Sequence, residues 1–374
     1  MSRIVAVTPW FPSEKKPAAG VFNLRDAQLL AASHEVTVVH LAESRDRFPD
    51  EPSQRRLDSG IEVIQVPYRQ LDPVSALTAR RVVRDQLASA DFVHTMAAHA
   101  LLPVRLATPR VPWVHTEHWS VLIGSRLAPR KRIAKQIYAP LLKHPDAAVA
   151  VGGALAAAVD AYRSERTRII DNWVAQAQPG SGTPVAPEAR GDSPLRLVSI
   201  GNLIERKGPK QSIDAVAELQ RRGVSARLTW LGSGELREEA EQHARRLGIA
   251  DRIDFVGAVP PEGVPGYLRD AHLFIAATSS ETFGVAIAEA LGHGLPVVAS
   301  GSGGHVEFLP PEASRIVPRR DGESFADAIE ALCADPARWS AEQIMGYAAE
   351  RFSPRRREEA YLEVYAAAAE RFAR

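Results

Sequence analysis

Short apolar runs alternate along the chain with longer segments that have the apolar spacing of helices. The runs include RIVAVT, EVTVVHL, IEVIQVP, DFVHT, PWVHT and AAVAV in the first half, and LRLVSIG, ARLTWLG, RIDFVG, LFIAA and PVVAS in the second. Runs of this length between turn residues are typical of buried parallel strands, and helices between them are typical of βαβ units. The pattern predicts an α/β fold in which each half of the chain forms a doubly wound, Rossmann-like sheet.

One segment interrupts this alternation and divides the chain. Residues 177–194, AQPGSGTPVAPEARGDSP, are rich in Gly, Pro and Ser and have no periodicity, so we interpret them as a linker. A chain of 374 residues is also too long for a single core. We predict a first domain at 1–176, a second domain at 195–352 and a terminal helix within 353–374. Two such sheets would face a cleft with the carboxyl ends of their strands.

Composition excludes several classes of protein. The formal net charge of +1 gives no general attraction to nucleic acid. Cys333 is the only cysteine, which excludes an internal disulfide and a cysteine-based zinc site. The N-terminus MSRIVAVTPWFP is typical of a strand rather than a signal peptide, and no run reaches the roughly 18 apolar residues of a membrane span. We expect a cytoplasmic protein with no nucleic-acid partner.

Residues 279–300, SSETFGVAIAEALGHGLPVVAS, predict a loop, a helix and a short buried strand. Glu281 lies just before the helix and Glu289 two turns into it. Eight helical steps of about 100° leave these carboxylates roughly 80° apart, so we expect both to face one ligand. The N–H groups of Phe283 and Gly284 lie at the helix N-terminus, which favours anions. The alternative is a helix-end charge at Glu281 and a solvated Glu289, but the apolar segment VAIAEALG predicts that Glu289 is buried and needs a partner.

Three histidines lie at or just after the ends of two predicted strands of the first half, DFVHT and PWVHT. In HTEHWS, His118 falls in the loop after a strand and is the preferred candidate for the cleft, whereas His115 is expected inside the strand. His94, at the end of DFVHT, has a position similar to that of His118. A metal site is the less favoured interpretation, because the spacing of these histidines matches no helical or hairpin ligand pair.

Glycine-rich and basic segments supply further candidates. Gly20 in AAGVF lets a ligand approach the first helix, but a simple turn explains it equally well. In IGNLIERKG, Lys207 opens a helix and is placed to meet a diphosphate, whereas Arg206 is interpreted as a solvated loop charge. WLGSGE is another strand–Gly–helix junction, and the three glycines of GSGGH, 301–305, offer N–H groups for an anion nest.

Taken together, these segments resemble family 4 of the retaining glycosyltransferases, which have a GT-B fold. The resemblance rests on AAGVF, HEVTVVHL, TEHWS, IIDNWV, GNLIERKG, WLGSGE, DFVGAV, SSETFGVAIAEALGHGLPVVAS and SGGHVEF, in this order over nearly the whole chain. The most specific of them is the Glu-x7-Glu segment with Phe-Gly after the first Glu.

The resemblance implies a UDP- or GDP-linked sugar donor in the second domain, and an acceptor that is a sugar, a lipid-linked molecule or a small molecule. The final helix would cross back onto the first domain. The implied contacts are Glu281 with the sugar, the N–H groups of Phe283, Gly284 and Val285 with the sugar or phosphate, Glu289 with the ribose, Val259 with the base, Lys207 and Gly20 with the phosphates, and His118 near sugar and acceptor. Asn202 stands where the family often has Arg, which shifts stabilisation of the diphosphate onto Lys207, the helix N-termini or Arg206.

The implied reaction is a metal-independent sugar transfer that retains the configuration at the anomeric carbon, in glycan, glycolipid or glycoside biosynthesis. The nucleotide sugar is a substrate, and no cofactor is implied. The lack of an Asp-x-Asp motif in the sequence fits this expectation. A double displacement through a carboxylate nucleophile is the rival chemistry. A sugar-nucleotide epimerase or phosphorylase of the same fold, and a non-catalytic subunit that binds sugar nucleotides, are the alternative functions.

A basic amphipathic segment suggests one further partner. Residues Arg126–Lys143, RLAPRKRIAKQIYAPLLK, combine six basic residues with five Leu and Ile residues. A helix of this kind can lie on an anionic membrane, where a lipid-linked acceptor would be found. The alternative is an ordinary helix that packs on the first sheet.

Overall fold

The computed structural model describes residues 1–13, 19–43, 53–57, 59–124, 127–177 and 193–374. It divides into two units: unit 1 contains Met1–Trp173 and Pro354–Arg374, and unit 2 contains Val174–Ser353. Most of the predicted linker, residues 178–192, lies outside the described part of the chain.

The strands coincide with most of the apolar runs in the sequence. In chain order they are β1 (Arg3–Thr8), β2 (Glu35–Glu43), β3 (Ser53–Arg56), β4 (Glu62–Tyr68), β5 (Phe92–Met96), β6 (Trp113–Glu117), β7 (Ala147–Ala150), β8 (Arg168–Ile169), β9 (Leu195–Ile200), β10 (Ala226–Leu231), β11 (Ile253–Gly257), β12 (Leu273–Ala276), β13 (Val297–Ser300) and β14 (Ser314–Val317).

Helices connect these strands, as the alternation predicts. In chain order they are α1 (Val21–Ala31), α2 (Pro73–Leu87), α3 (Leu101–Ala107), α4 (Pro129–Tyr138), α5 (Gly153–Asp160), α6 (Pro209–Arg221), α7 (Arg237–Arg246), α8 (Val264–Asp270), α9 (Val285–Gly292), α10 (Gly322–Ala334), α11 (Ala341–Arg351) and α12 (Pro354–Phe372). Among the helices described, none combines the length and the apolarity that crossing a bilayer requires.

Each unit contains one sheet with a reversal of strand order. The sheet of unit 1 has the order β3-β4-β2-β1-β5-β6-β7-β8, and that of unit 2 has the order β11-β10-β9-β12-β13-β14. All neighbouring strands are parallel except β3 and β4. In doubly wound sheets, ligands bind beyond the carboxyl ends of the strands where the order reverses. This position lies between β1 and β5 in unit 1, and between β9 and β12 in unit 2.

Helix α12 packs against the rest of unit 1 through a buried ion pair. The guanidinium of Arg357 donates to both carboxylate oxygens of Asp26 at 2.6 and 2.7 Å, and both side chains are almost fully buried. It also donates to the backbone oxygens of Ile170 at 3.1 Å and Asp171 at 2.5 Å. Because a buried ion pair is tolerated only when its remaining donors are satisfied, these contacts make Arg357 the polar anchor of the helix.

Candidate functional site

The strand reversal of unit 2 brings together two loops that are far apart in sequence. Lys207 lies in the loop after β9, and Glu281 lies in the loop after β12. The ammonium group of Lys207 is 2.5 Å from Oε1 of Glu281. A guanidinium nitrogen of Arg206 is 3.2 Å from the same oxygen and donates to the carbonyl of Ser280 at 2.7 Å. Arg206 is therefore part of the cluster, and its interpretation as a merely solvated charge was wrong.

These cations control the ionisation of Glu281. Burial alone would raise the pKa of the Glu281 carboxyl, because its side chain is only 12% exposed. The charges of Lys207 and Arg206 outweigh burial and lower the pKa below its ordinary value. The carboxylate therefore stays ionised at neutral pH, and the cluster of Glu281, Lys207 and Arg206 carries one negative and two positive charges.

Glycines after β13 support the loop that carries Glu281. An added Cβ at Gly303 would lie 2.6 Å from the Glu281 nitrogen, and one at Gly304 would lie 2.2 Å from the Thr282 oxygen. The Gly304 N–H donates to the Glu281 carbonyl at 2.9 Å, and the Gly301 N–H donates to Val317 at 3.0 Å. Two N–H groups of the predicted anion nest are thus used within the protein, and the glycines serve close backbone packing.

His305, in the same segment, is a buried group that the sequence argument did not single out. Its Nε2 lies 2.7 Å from the carbonyl of Ser300, which therefore accepts a hydrogen bond from the ring. The sequence did contain a signal for this residue, because His305 directly follows GSGG, which itself follows the apolar strand PVVAS.

Helix α9 begins after Glu281, whereas the predicted angle between the two carboxylates assumed that Glu281 and Glu289 lie on one helix. Gly284 is its N-cap with φ 99°, and Val285 is its first residue. Glu281 therefore lies in a loop, and the estimate of 80° between Glu281 and Glu289 does not apply. Glu289 shares a half-buried face of the helix with Val285 and Ala286, so the prediction that it is buried was also wrong. Small Ala residues make this face apolar in sequence without enclosing it.

Three further predicted residues of unit 2 lie beyond the strands of its sheet, and they differ in burial. The side chain of Phe283 is buried against the rings of Phe308 and Phe352, so only its backbone N–H is available to a ligand. Asn202 is exposed directly beyond β9, and Val259 is half-buried beyond β11. Both lie at the carboxyl edge of the sheet that carries Lys207 and Glu281.

Two histidines of unit 1 are built into the sheet. His94 occupies the middle of β5, where its ring nitrogens lie 2.8 Å from the Tyr365 hydroxyl and 2.7 Å from the Thr116 hydroxyl. His115 lies within 2.9 Å of Thr95 and 3.2 Å of Glu117. Burial lowers the pKa of His94 to about 3, so the ring is neutral. The prediction that His94 ends its strand like a site residue was wrong.

His118 lies beyond the end of β6, in the loop that the sequence predicted. Its ring is buried with its centroid 4.5 Å from that of Phe22, and its backbone N–H donates to Glu117 at 2.8 Å. Nε2 of His118 has no hydrogen-bond partner among the described residues. Burial, with nearby Arg357, lowers the pKa well below its ordinary value, so His118 is a neutral imidazole.

His99, at the strand reversal of unit 1, was missed. Its ring contacts those of Trp119, Tyr138 and Trp10, with centroids at 4.5, 5.2 and 5.9 Å, and burial lowers its pKa to about 4. Neither ring nitrogen has a hydrogen-bond partner in the described part of the chain. The nearby Ala97 has φ 76°, a strained value for a residue other than glycine. His99 could have been found from the sequence, because it lies shortly after the predicted strand DFVHT.

Gly20 is required by the chain's own backbone. It has φ 69° directly before α1, and an added Cβ would lie 2.3 Å from the carbonyl oxygen of Trp10. A side chain at this position would therefore displace the turn, whatever ligand is present.

A pocket of about 190 Å³ lies at the carboxyl edge of β1, β2 and β4 in unit 1. Its lining combines aromatic and polar side chains, which include Trp10, Phe11, His40, Glu43 and Gln70. Within the described residues, no three His, Cys, Asp or Glu side chains cluster closely enough to hold a metal ion.

Two family models match the chain without overlapping. Residues 21–177 match the model described as Glycosyltransferase Family 4, and residues 186–352 match that of glycosyl transferases group 1. The chain belongs to glycosyltransferase family 4. As a member of this family it has the GT-B fold, whose two Rossmann-like domains correspond to the two sheets described above.

Curated relatives of this family 4 glycosyltransferase are similar over part of their length. It is 32% identical over 164 residues to a GDP-mannose-dependent alpha-(1-6)-phosphatidylinositol monomannoside mannosyltransferase of Mycolicibacterium smegmatis, covering 42% of this chain and 43% of the relative. It is 35% identical over 173 residues to the lipopolysaccharide core biosynthesis glycosyltransferase LpsE of Rhizobium meliloti, covering 45% of this chain and 48% of that one. The matched regions thus span about half the length of these relatives.

Solved structures share the fold over nearly the whole chain. Sucrose-phosphate synthase from Thermosynechococcus elongatus has a TM-score of 0.77 at 20% identity, covering 98% of this chain and 100% of the other. HepE of Anabaena, solved in complex with UDP-glucose, has a TM-score of 0.74 at 18% identity with the same coverage. At these identities the likeness supports the fold of the family 4 glycosyltransferase and no finer assignment.

Proposed function

We propose that the chain transfers a sugar from a nucleotide-diphosphate donor to a hydroxyl of an acceptor, with retention and without a metal or other cofactor. The observation that carries this proposal is the cluster of Lys207, Arg206 and Glu281 at the strand reversal of unit 2. Doubly wound sheets bind nucleotides at this position. The names of the curated relatives support glycan or glycolipid biosynthesis as the setting.

Lys207 is the group that meets the leaving diphosphate. As the bond to the sugar breaks, negative charge grows on the diphosphate, and a preorganised cation lowers the energy of that state more than the ground state. Lys207 is held 2.5 Å from Glu281, so its ammonium group is already oriented. When Lys207 turns to phosphate, Arg206 still neutralises Glu281.

Glu281 and the start of α9 hold the sugar. The contacts from Lys207, Arg206 and Thr278 converge on Oε1 of Glu281, and we assign Oε2 to the sugar hydroxyls. The N–H groups at the N-terminus of α9 suit the sugar or phosphate oxygens. Glu289, on the half-buried face of α9, is assigned to the ribose of the donor, and Val259 is assigned to the base. Asn202, directly beyond β9, is assigned to donor binding beside the diphosphate.

Unit 1 supplies the acceptor side. His118 is neutral and buried with a ring nitrogen unpaired among the described residues, so it suits an uncharged hydroxyl better than a phosphate. The pocket lined by Trp10 and Glu43 combines a ring and a carboxylate, which suits a sugar or another polyhydroxy acceptor. Gly20 maintains the turn beside α1, and its implied contact with phosphate is retained as part of the proposal.

The direct test is a thermal-shift screen with UDP- and GDP-linked sugars, followed by an assay for release of the nucleoside diphosphate. One nucleotide sugar should stabilise the protein, since a ligand that binds only the folded state raises stability by mass action. No shift with any nucleotide sugar would contradict the proposal. Phosphate-dependent release of sugar phosphate would indicate a phosphorylase, and binding without turnover would indicate a non-catalytic subunit.

The exposed face of α4 favours peripheral membrane contact. The helix is buried through Ala134 and Tyr138, whereas Ile133 and Ile137 remain 48% and 44% exposed. The exposed residues around them include Arg130, Lys131 and Arg132. Apolar side chains among cations suit an anionic bilayer, where a lipid-linked acceptor would lie. Residues 125–126, at the start of the predicted segment, lie outside the described part of the chain.

Flotation with vesicles that contain anionic lipid tests this contact. Wild type should float at low salt, and the double variant Ile133→Ser, Ile137→Ser should not. Leu362→Ser is a matched control, because Leu362 is 49% exposed on α12. Absence of wild-type binding, or equal binding of the double variant, would reject the membrane contact without affecting the donor assignment.

A further inference from the structure

A single arginine contacts both loops of the candidate donor site without belonging to the cluster of Lys207, Arg206 and Glu281. Arg320 follows β14, at the carboxyl edge of the sheet in unit 2. Its Nε donates to the carbonyl of Ala277 at 2.6 Å, and a terminal nitrogen donates to the carbonyl of Glu205 at 2.6 Å. Ala277 is the first residue after β12, and Glu205 lies in the loop after β9. One guanidinium therefore spans the strand reversal.

The contact requires close approach of the two loops. Gly208 follows the loop after β9 as the N-cap of α6 and has φ 70°; an added Cβ there would lie 2.0 Å from the Ala277 oxygen and 2.9 Å from a nitrogen of Arg320. The planar fork of arginine reaches two carbonyls at a fixed separation, whereas lysine presents one point charge. The space above Gly208 is thus occupied by the Ala277 carbonyl and by the Arg320 guanidinium that binds this carbonyl.

Other contacts would keep the loops attached if Arg320 were removed. The Ser279 N–H donates to the Arg206 carbonyl at 2.7 Å, and the Arg206 side chain donates to the Ser280 carbonyl at 2.7 Å. Loss of Arg320 would therefore allow a local shift rather than separation of the loops. Because Lys207 is two residues after Glu205 and Glu281 is four residues after Ala277, the shift would fall on this pair.

We propose that Arg320 is a positioning residue that holds Lys207 and Glu281 in register for the donor. This inference rests on the proposed function, because its effect is measured on sugar transfer. In this proposal Arg320 acts through the two loops that carry Lys207 and Glu281 and needs no contact with the donor.

The test is a double-mutant cycle of Arg320→Ala with Lys207→Ala, measured as kcat/KM for the donor. Arg320→Ala alone should lower kcat/KM between about tenfold and a hundredfold, as small misplacements of catalytic groups do. In the Lys207→Ala background the same change should cost less than about threefold, because residues that act as a unit are not additive. Arg319→Ala is the control, since Arg319 is exposed and its nearest acid is Asp321 at 3.6 Å.

The outcomes separate this inference from the proposed function. A wild-type protein that binds and transfers no nucleotide sugar defeats the proposed function, and the inference falls with it. If wild type is active, equal rates for Arg320→Ala and Arg319→Ala, or losses that multiply with Lys207→Ala, overturn the inference alone. Arg320→Lys covers the case in which Arg320→Ala does not fold: it should fold and lose part of the rate, and a wild-type rate for it would overturn the inference.

Discussion

The two units have the same reversal of strand order, but their carboxyl edges differ in chemistry. In unit 2 the loops at the reversal carry Lys207, Arg206 and an ionised Glu281, backed by glycines that leave no room for other side chains. In unit 1 the corresponding region carries buried, neutral histidines among aromatic rings, with His99 closest to the reversal. One sheet order thus supports two electrostatic environments.

The difference follows from what each environment stabilises. Preorganised cations on closely packed loops suit a ligand whose negative charge increases during the reaction. Neutral imidazoles suit uncharged hydroxyls, which donate and accept hydrogen bonds without a counter-ion. Unit 1 also has a buried ion pair, Arg357 with Asp26, but this pair anchors α12. In the proposed account, charge in unit 1 serves stability and charge in unit 2 serves the donor.

The largest expected effect is a loss of stability when the charge of Arg357 is removed, which tests the structural use of charge in unit 1. Arg357→Met keeps most of the side-chain volume but leaves Asp26 buried without its partner, which should lower the free energy of unfolding of unit 1 by about 3–5 kcal/mol. Hydrogen exchange of the β5 and β6 amides measures it. Arg355→Ala is the control, because Arg355 pairs with Glu359 at the surface and such pairs contribute at most about 1 kcal/mol. Equal stability of the two variants would contradict the anchoring role.

Lys207→Ala tests the role assigned to charge in unit 2. It should remove roughly 3 kcal/mol of transition-state stabilisation, or about a hundredfold in kcat/KM, with little change in stability. Steady-state kinetics with the donor found by thermal shift measures it, and Lys210→Ala, an exposed lysine of α6, is the control. Turnover close to wild type would remove Lys207 from the mechanism.

Acid should destabilise unit 1 more steeply than unit 2, where burial also lowers the pKa of His272 and of His305. His94 and His99 have pKa values lowered from 6.5 to about 3 and about 4, so below pH 6.5 the unfolded state binds protons that the folded state does not. Stability of unit 1 should therefore fall by roughly 1.4 kcal/mol per pH unit for each such histidine between about pH 6 and 5. The pKa of Glu281 is lowered below 4.5, so its stabilising contribution is lost only as the pH falls further.

Hydrogen exchange at a series of pH values follows both units at once. His99→Gln should flatten the pH dependence of unit 1, because glutamine does not titrate. A steeper loss of stability in unit 2 than in unit 1 on acidification, or an unchanged slope in this variant, would contradict this contrast between the two units.

The smallest effect is expected for Arg206→Ala. Arg206 is 40% exposed, so its interaction with Glu281 is screened, and its loss should cost about 1 kcal/mol or less in kcat/KM. The acid limb of the pH–rate profile should move to higher pH, because the pKa of Glu281 rises when one of its two cations is removed. A loss as large as that of Lys207→Ala would assign the diphosphate to Arg206 as well.

The sequence predicted the two doubly wound sheets, because apolar runs and helical spacing depend on local burial. It did not reveal β3, whose residues SQRR are polar and pair antiparallel at the sheet edge. It placed Lys207 and Glu281 at one edge, but their direct contact depends on β9 lying beside β12, which no local pattern specifies. Arg206, Arg320 and His99 were misjudged or missed for the same reason, because their partners are distant in sequence.

Burial was predicted less well than position. Glu289 lies among small apolar residues, yet its helix face is half open, because alanines do not by themselves indicate a neighbouring layer. The isoleucines of α4 show the reverse case, since they were expected either to pack or to meet lipid, and they are exposed. Which face of a helix is covered depends on neighbours that the sequence of that helix does not contain.

The central claim is that unit 2 binds the nucleotide diphosphate. Hydrogen exchange measured with and without UDP and GDP tests it most directly, because it reports the bound loops without requiring the acceptor. With one of the two nucleotides, protection should appear in residues 201–208 and 278–285, and Lys207→Ala should weaken it. Protection confined to unit 1, or no protection with either nucleotide, would contradict the account.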